Sequence, residues 1–168
     1  MEKLGLQLFT IRDFLKTPED VKNSFSKLID LGYTEGQTAT SDWYGMGAEK
    51  VRDICLEPRR SSCGTHHSFD LIYDATDEVM KEHEIVGTTN IGIGGMPGLS
   101  EMTLESVKVF VEKFNEVARK IHKHGFKLTY HNHHWEFAKH SGVRIMDYLA
   151  DNLDKDATSF VLDTHWVQ

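Results

Sequence analysis

Short apolar segments typical of β-strands recur roughly every 30 residues, and each is followed by a helix or its loop. The predicted strands are 4–10, 33–39, 61–67, 90–94, 126–132 and 159–163, and the predicted helices are 17–31, 48–56, 71–84, 103–124 and 144–152. Thr17 is the predicted N-cap of the first helix, because Pro18 and Asp20 suit the positions that follow it. A strand that alternates with a helix in this way predicts an α/β fold with a parallel sheet and right-handed crossovers.

The composition predicts one globular domain over residues 1–168 and excludes several classes of protein. The net charge of −7, without a basic stripe, disfavours binding to nucleic acid. No apolar run approaches the ~20 residues that a membrane helix needs, so no membrane contact is expected. Cys55 and Cys63 are too few for a disulfide framework and are interpreted as reduced thiols in a cytoplasmic protein.

Histidines concentrate where the predicted strands end. Six of the ten lie at the end of a predicted strand or just after it: His66, His67, His131, His133, His134 and His165. Ligands of α/β sheets bind at the carboxyl ends of the strands, so this distribution predicts an active site there. Away from these ends, His83 and His140 are predicted to be solvated surface residues. At the end of the third strand, either His66 or His67 is expected to act, and the other to pack.

Side-chain alternation places the candidate groups on one face of their strands. His131 and His133 share a face of the fifth strand, and Asp163 shares a face of the sixth strand with Val161. Imidazole with carboxylate suits a divalent metal such as Zn, Mn or Co. Glu136 competes as a ligand, with capping of the next turn as its alternative role. On the opposite faces, Phe160 and Leu162 are expected to pack against helices.

Several motifs, in order along the chain, resemble those of the xylose-isomerase-like TIM-barrel superfamily, the sugar phosphate isomerase/epimerase group. They are LGLQLFTIRD at 4–13, LGY at 31–33, GTH at 64–66, TYHNHHWEF at 129–137 and VLDTHWV at 161–167. The resemblance implies a (β/α)₈ barrel, a divalent metal (Mn, Zn or Co) and a sugar or polyol substrate.

The resemblance also implies roles for individual residues. Asp163 matches the metal ligand of the sixth strand, and His131 falls where many relatives carry a Glu ligand, which leaves the choice between His131 and Glu136 open. His133 falls at the position of an acid–base histidine. His66 is expected to orient the substrate or move a second proton. Gln37, where many members have Glu, and Trp166 are expected to contact the substrate.

The chain is shorter than a complete barrel of this kind. A complete (β/α)₈ barrel typically has about 250 residues. These 168 residues are therefore expected to form a (β/α)₈ barrel that is truncated after the sixth strand. The favoured hypothesis is therefore a metal-dependent sugar isomerase or epimerase, of which this sequence is a truncated part. The alternatives are a non-catalytic fragment or binding module, a homo-oligomer in which another chain supplies ligands, and, less favoured, an AP endonuclease.

Overall fold

The computed structural model describes residues 4–39, 43–55 and 61–167. They form two compact units. The first unit comprises the described residues up to His67 together with Asp77–Ile91. The second comprises Ser68–Thr76 and the described residues from Gly92 onwards. The two units are described separately, and the single domain of 1–168 stays a prediction.

The first unit contains a parallel sheet of three short strands. They are β1 (Gly5–Gln7), β2 (Glu35–Gln37) and β3 (Ser61–Gly64), in the order β1-β2-β3. Gln7 pairs with Gln37, and Gln37 pairs with Gly64 after a register shift. The first strand is shorter than predicted, because Leu8–Phe14 coils into 3-10 turns. The parallel direction predicted from the alternation of strands and helices is confirmed for these pairs.

Helices cover the core of this unit. They are α1 (Pro18–Asp30), α2 (Ala48–Cys55) and α4 (Thr76–Val86), while α3 (Phe69–Asp74) belongs to the second unit. The predicted last residue of α2, Leu56, lies outside the described residues. The predicted cap of α1 is confirmed: Thr17 Oγ1 accepts the backbone N–H of Asp20, and its own N–H donates to the Asp20 carboxylate. The apolar core includes Leu8, Val21, Phe25, Trp43, Val51 and Val86.

The second unit contains a sheet in the order β4-β5-β8. Its strands are β4 (Asn90–Ile93), whose last two residues belong to this unit, β5 (Lys127–His131) and β8 (Thr158–Val161). β5 and β8 are parallel, with Tyr130 opposite Phe160 and His131 opposite Val161. A short antiparallel pair that the sequence did not predict, β6 (Lys139–His140) and β7 (Val143–Arg144), lies between them in the chain.

Aromatic side chains join the helices of the second unit to its sheet. The helices are α3 (Phe69–Asp74), α5 (Leu104–His122) and α6 (Ile145–Asn152). Phe110 and Phe114 of α5 contact both Phe69 and Tyr130, with ring centroids 5.0–6.2 Å apart. All six residues of the predicted apolar face of α5 are buried, which confirms that face: Val107, Phe110, Val111, Phe114, Val117 and Ile121.

Three local expectations were wrong. The helix predicted over 71–84 is divided at Ala75, where a non-helical backbone separates α3 from α4. His83 was expected in solvent but is fully buried, because its face of α4 packs on Thr65 and Trp43. Leu162 was expected to pack against helices but lies beyond the last residue of β8 and is 63% exposed. Within the described ranges, no helix has the length and apolar character needed to cross a bilayer.

Candidate active site

The predicted site residues divide between the two units. His131, His133, Glu136, Asp163 and Trp166 belong to the second unit, at or just past the carboxyl ends of β5 and β8. Gln37 and His66 belong to the first unit, in β2 and just after β3. The second unit therefore carries most of the chemistry that the sequence singled out.

His131 and Asp163 face each other across the end of the β5–β8 pair. Their Nε2 and Oδ2 atoms lie 3.6 Å apart. His131 is opposite Val161, the last residue of β8, and Asp163 lies two residues beyond Val161, where the chain places its carboxylate beside the imidazole. Burial, together with the nearby His133, lowers the pKa of His131 against the opposing effect of Asp163. The imidazole is accordingly neutral near pH 7, the form that binds metals.

Asn132 fastens the two strand ends together. Its Oδ1 accepts the backbone N–H of Asp163 at 2.9 Å, and its Nδ2 donates to the backbone carbonyl of Asp163 at 3.1 Å. Asn132 is fully buried. The Asp163 carboxylate is fixed further by the N–H of His165, which donates to Oδ1 at 3.0 Å and leaves Oδ2 facing His131.

His133 lies between His131, Trp166 and Gly95. Its ring centroid is 4.9 Å from that of His131 and 5.5 Å from that of Trp166. A Cβ added to Gly95, whose φ is +142°, would lie 3.4 Å from Nδ1 of His133, so glycine provides the space for this ring. Nδ1 is buried and has no hydrogen-bond partner among the residues that the structure describes.

Glu136 serves a different set of partners. Its Oε1 accepts the hydroxyl of Tyr130 at 2.6 Å, and its Oε2 accepts the backbone N–H of His133 at 2.8 Å. Glu136 is fully buried. Burial and the Glu136 carboxylate raise the pKa of Tyr130 far above its usual value, so the hydroxyl remains a donor. Tyr130 lies on the opposite face of β5 from His131, and the structure therefore does not bring Glu136 into the His131–Asp163 pair.

The donors were tested against the divalent metal that the resemblance implies. Two ligands bound at about 2.0–2.1 Å to one tetrahedral ion lie roughly 3.3 Å apart, close to the 3.6 Å between His131 and Asp163. The pair also has the right donor chemistry. Across residues 4–39, 43–55 and 61–167, however, no three His, Cys, Asp or Glu side chains form a group that could hold an ion. The pair fits as part of a coordination sphere.

The first unit holds a buried pair of histidines, of which sequence reasoning missed His83. His83 Nε2 is 2.8 Å from Thr65 Oγ1, and His83 Nδ1 is 2.7 Å from the carbonyl of Val79. The His67 ring lies 5.1 Å from His83 and is 3% exposed. Burial lowers the pKa of His67 to about 3 and that of His83 to about 4. His67 is thus buried, whereas His66 and Gln37 are half-buried, and which of the two histidines acts stays a prediction.

Only some of the residues that build these contacts could be identified from the sequence. Alternation along the strands pointed to His131, His133 and Asp163. Nothing singled out Asn132 or Tyr130, because their importance depends on partners in the β8 end and in the following turn. For His83, its helical spacing from the buried Val79 and Val86 was an available signal.

Solved structures with a similar fold are known. A sugar phosphate isomerase/epimerase from Parabacteroides distasonis superimposes with a TM-score of 0.79 at 21% identity, over 99% of this chain and 66% of its own. A D-allulose 3-epimerase from a Methylomonas species gives 0.66 at 13%, over 98% and 64%. A family 2 AP endonuclease from Brucella melitensis gives 0.68 at 12%, over 95% and 67%. No family model and no curated protein matches the sequence.

These likenesses confirm the fold class. The chain has a partial TIM-barrel-like α/β fold, which it shares with these structures. It spans about two thirds of the length of each of these structures, 66%, 64% and 67%. Identities of 12–21% support the shared fold, and the activity has to be argued from the site.

Proposed function

We propose that this chain forms part of a metal-dependent isomerase or epimerase acting on a sugar or a sugar-like polyol. The observation that carries the proposal is the contact between His131 Nε2 and Asp163 Oδ2 at the carboxyl ends of β5 and β8. A second support is the fold that the chain shares with isomerases and epimerases.

His131 and Asp163 would hold the ion, and its other ligands would come from outside this pair. Mn, Zn and Co are the candidate ions, as the resemblance implies. When bound, a divalent ion polarises a carbonyl or hydroxyl oxygen of the substrate. The neutral imidazole of His131 and the fixed carboxylate of Asp163 need no rearrangement to act as donors, since Asn132 and His165 already orient that carboxylate.

His133 would transfer the proton between substrate carbon or oxygen and the protein. Its ring lies beside His131, and its backbone is held by the Glu136 carboxylate, which itself is held by Tyr130. A general acid–base group must have a fixed position relative to the proton that it moves. Trp166, whose ring lies 5.5 Å from that of His133 and 5.4 Å from that of His134, would provide an apolar wall for the substrate. Roles for His66 and Gln37 in the substrate reaction stay predictions.

Metal titration with variants tests the ligand assignment. Isothermal titration of the 168-residue chain with Mn²⁺, Co²⁺ and Zn²⁺ should show binding that His131→Gln and Asp163→Asn each abolish. Glu136→Gln should retain it, because the Glu136 oxygens face Tyr130 and the His133 backbone. Asp151→Asn, an exposed aspartate on α6, is the matched control. Loss of binding in Glu136→Gln, with His131→Gln unaffected, would reverse the assignment.

One observation favours a second candidate, a non-catalytic binding module. The described residues offer two neighbouring metal donors where catalytic zinc sites use three protein ligands. The two hypotheses are distinguished by incubating the metal-loaded chain with a mixture of ketoses in D₂O and measuring deuterium incorporation into the sugars. The enzyme hypothesis expects exchange that His133→Gln removes; binding of sugar without exchange favours the module. The net charge of −7 continues to disfavour an endonuclease.

A further inference from the structure

A second candidate site lies in the first unit, where the chain leaves β1 and β2. A cavity of about 420 Å³ is lined by Phe9, Arg12, Lys16, Ala39, Tyr44 and Gly45 over a buried floor of Leu8 and Leu15. This volume is within the range of small-molecule sites. Leu8 follows the last residue of β1, and Ala39 lies two residues past β2, so the cavity is at the carboxyl ends of both strands.

The charge of the cavity is opposite to that of the chain. The chain carries a net charge of −7, yet Arg12 and Lys16 line this cavity and none of its described lining residues is acidic. Lys16 contacts Asp13 at 3.3 Å, but both side chains are more than 60% exposed, so this pair is weak and exchangeable. The two cations are therefore available to a negatively charged ligand.

Arg12 is already oriented by its neighbours. The Nη1 of Arg12 donates a hydrogen bond to the carbonyl of Phe9 at 3.0 Å, and the guanidinium carbon lies 4.4 Å from the centroid of the Phe9 ring. An arginine has five N–H donors in a planar fork that matches carboxylate and phosphate oxygens. The Phe9 contacts use one donor and one face, which leaves the fork fixed and most of its donors for a ligand.

Part of the cavity lining has an unusual backbone conformation. Trp43, Tyr44 and Gly45 all have positive φ, at 51°, 58° and 70°. A non-glycine residue in this region is strained and persists only where its surroundings hold it. Trp43 supplies that hold: it is 2% exposed, and its Nε1 donates to Glu82 at 2.8 Å. Tyr44 and Gly45, which follow Trp43 in the chain, line the cavity in this conformation.

We propose that this cavity binds a small organic anion, a phosphate ester or carboxylate on an apolar or ring-shaped body, with Arg12 and Lys16 binding the anionic group. The aromatic and aliphatic side chains of Phe9, Tyr44 and Ala39 contact the body. The inference concerns the first unit alone and does not depend on the proposed isomerase activity.

Binding of model anions to the 168-residue chain tests this site. Phenyl phosphate and benzoate are the two anionic ring compounds. Two half-probes serve as comparisons: inorganic phosphate has the anionic group without a ring, and benzyl alcohol has a ring without an anionic group. Calorimetric titration should rank at least one anionic ring compound above both half-probes. Preference for phenyl phosphate indicates a phosphate ester as the natural ligand, and preference for benzoate indicates a carboxylate.

Three variants assign the binding to the cavity. Arg12→Gln removes charge-assisted hydrogen bonds and should weaken the Kd for the preferred probe about 10-fold or more. Ala39→Leu should weaken it by filling the cavity without a change in charge. Arg52→Gln is the matched control, since Arg52 is also an exposed arginine of this unit that contacts a neighbouring aspartate. It should bind as the unmodified chain does.

The outcomes are decisive in both directions. Equal binding by Arg12→Gln and the unmodified chain overturns the proposal, as does an equal loss in Arg52→Gln, or no binding by either anionic ring compound. Circular dichroism establishes that each variant is folded. If Arg12→Gln does not fold, Lys16→Gln and Ala39→Leu carry the test, and retention of full affinity by both refutes the site.

Discussion

Asn132 provides the sharpest test of how the candidate active site is assembled. Its side chain makes two hydrogen bonds to the backbone of Asp163, at 2.9 and 3.1 Å, and is fully buried. Asn132→Ala removes both. Each net contribution is about 1 kcal/mol, and leaving the half-buried Asp163 backbone without these partners adds to the loss. We expect the free energy of unfolding to fall by about 2–3 kcal/mol.

Asn115 offers a matched comparison in the same unit. Its side chain also makes two hydrogen bonds, donating to the carbonyl of Asn152 at 2.9 Å and accepting the N–H of Asp154 at 2.8 Å. Asn115 is only half-buried, so water replaces these bonds more readily. Alanine also gains about 0.5 kcal/mol of helix propensity there. Asn115→Ala should therefore lose about 1 kcal/mol or less.

Urea unfolding measures both changes. With an m-value of about 2 kcal/mol per molar, Asn132→Ala should lower the urea midpoint by about 1 M and Asn115→Ala by less than half of that. Hydrogen exchange of the Asp163 amide reads the bond directly, and it should accelerate only in Asn132→Ala. Equal midpoints for the two variants, or unchanged exchange at Asp163, would refute the assignment of Asn132 as the link between the two strand ends.

Two further predictions concern the histidines and one glycine. Burial lowers the pKa of His67 to about 3 and that of His83 to about 4, from 6.5 in the unfolded chain. Between these pH values the unfolded chain therefore binds more protons than the folded one. The free energy of unfolding should keep its full histidine contribution above pH 6.5 and fall as the pH drops towards 4, by about 3 kcal/mol for His83 alone. When urea midpoints are plotted against pH, the slope should be flatter for His83→Gln and unchanged for His122→Gln. Gly95→Ala would place a Cβ 2.9 Å from Leu99 and 3.4 Å from the His133 ring. It should lower stability by about 2–3 kcal/mol and shift the His133 NMR signals, whereas Gly98→Ala, with open space at φ +71°, should lose about 1 kcal/mol with those signals unchanged.

Features that depend on neighbouring residues could be predicted from the sequence. Thr17 and Asp20 form the expected capping box, because both partners lie within one helical turn. The apolar face of α5 is buried as its helical period predicts. Strand alternation put His131 and Asp163 on matching faces. The pairing of β5 with β8, and the course of the chain past Val161, then bring the two side chains together.

Tertiary structure alone decided which distant groups meet. Glu136 had two sequence-level roles, and the turn after β5 settles its contacts by aiming both oxygens at Tyr130 and the His133 backbone. His83 is polar and near the end of a helix, so its sequence suggested solvent, but the docking of α4 buries it against Thr65. Asn132 acquires its partner only through the register of two strands about 30 residues apart. Local periodicity fixes the face on which a side chain lies, whereas burial and partners depend on packing between segments.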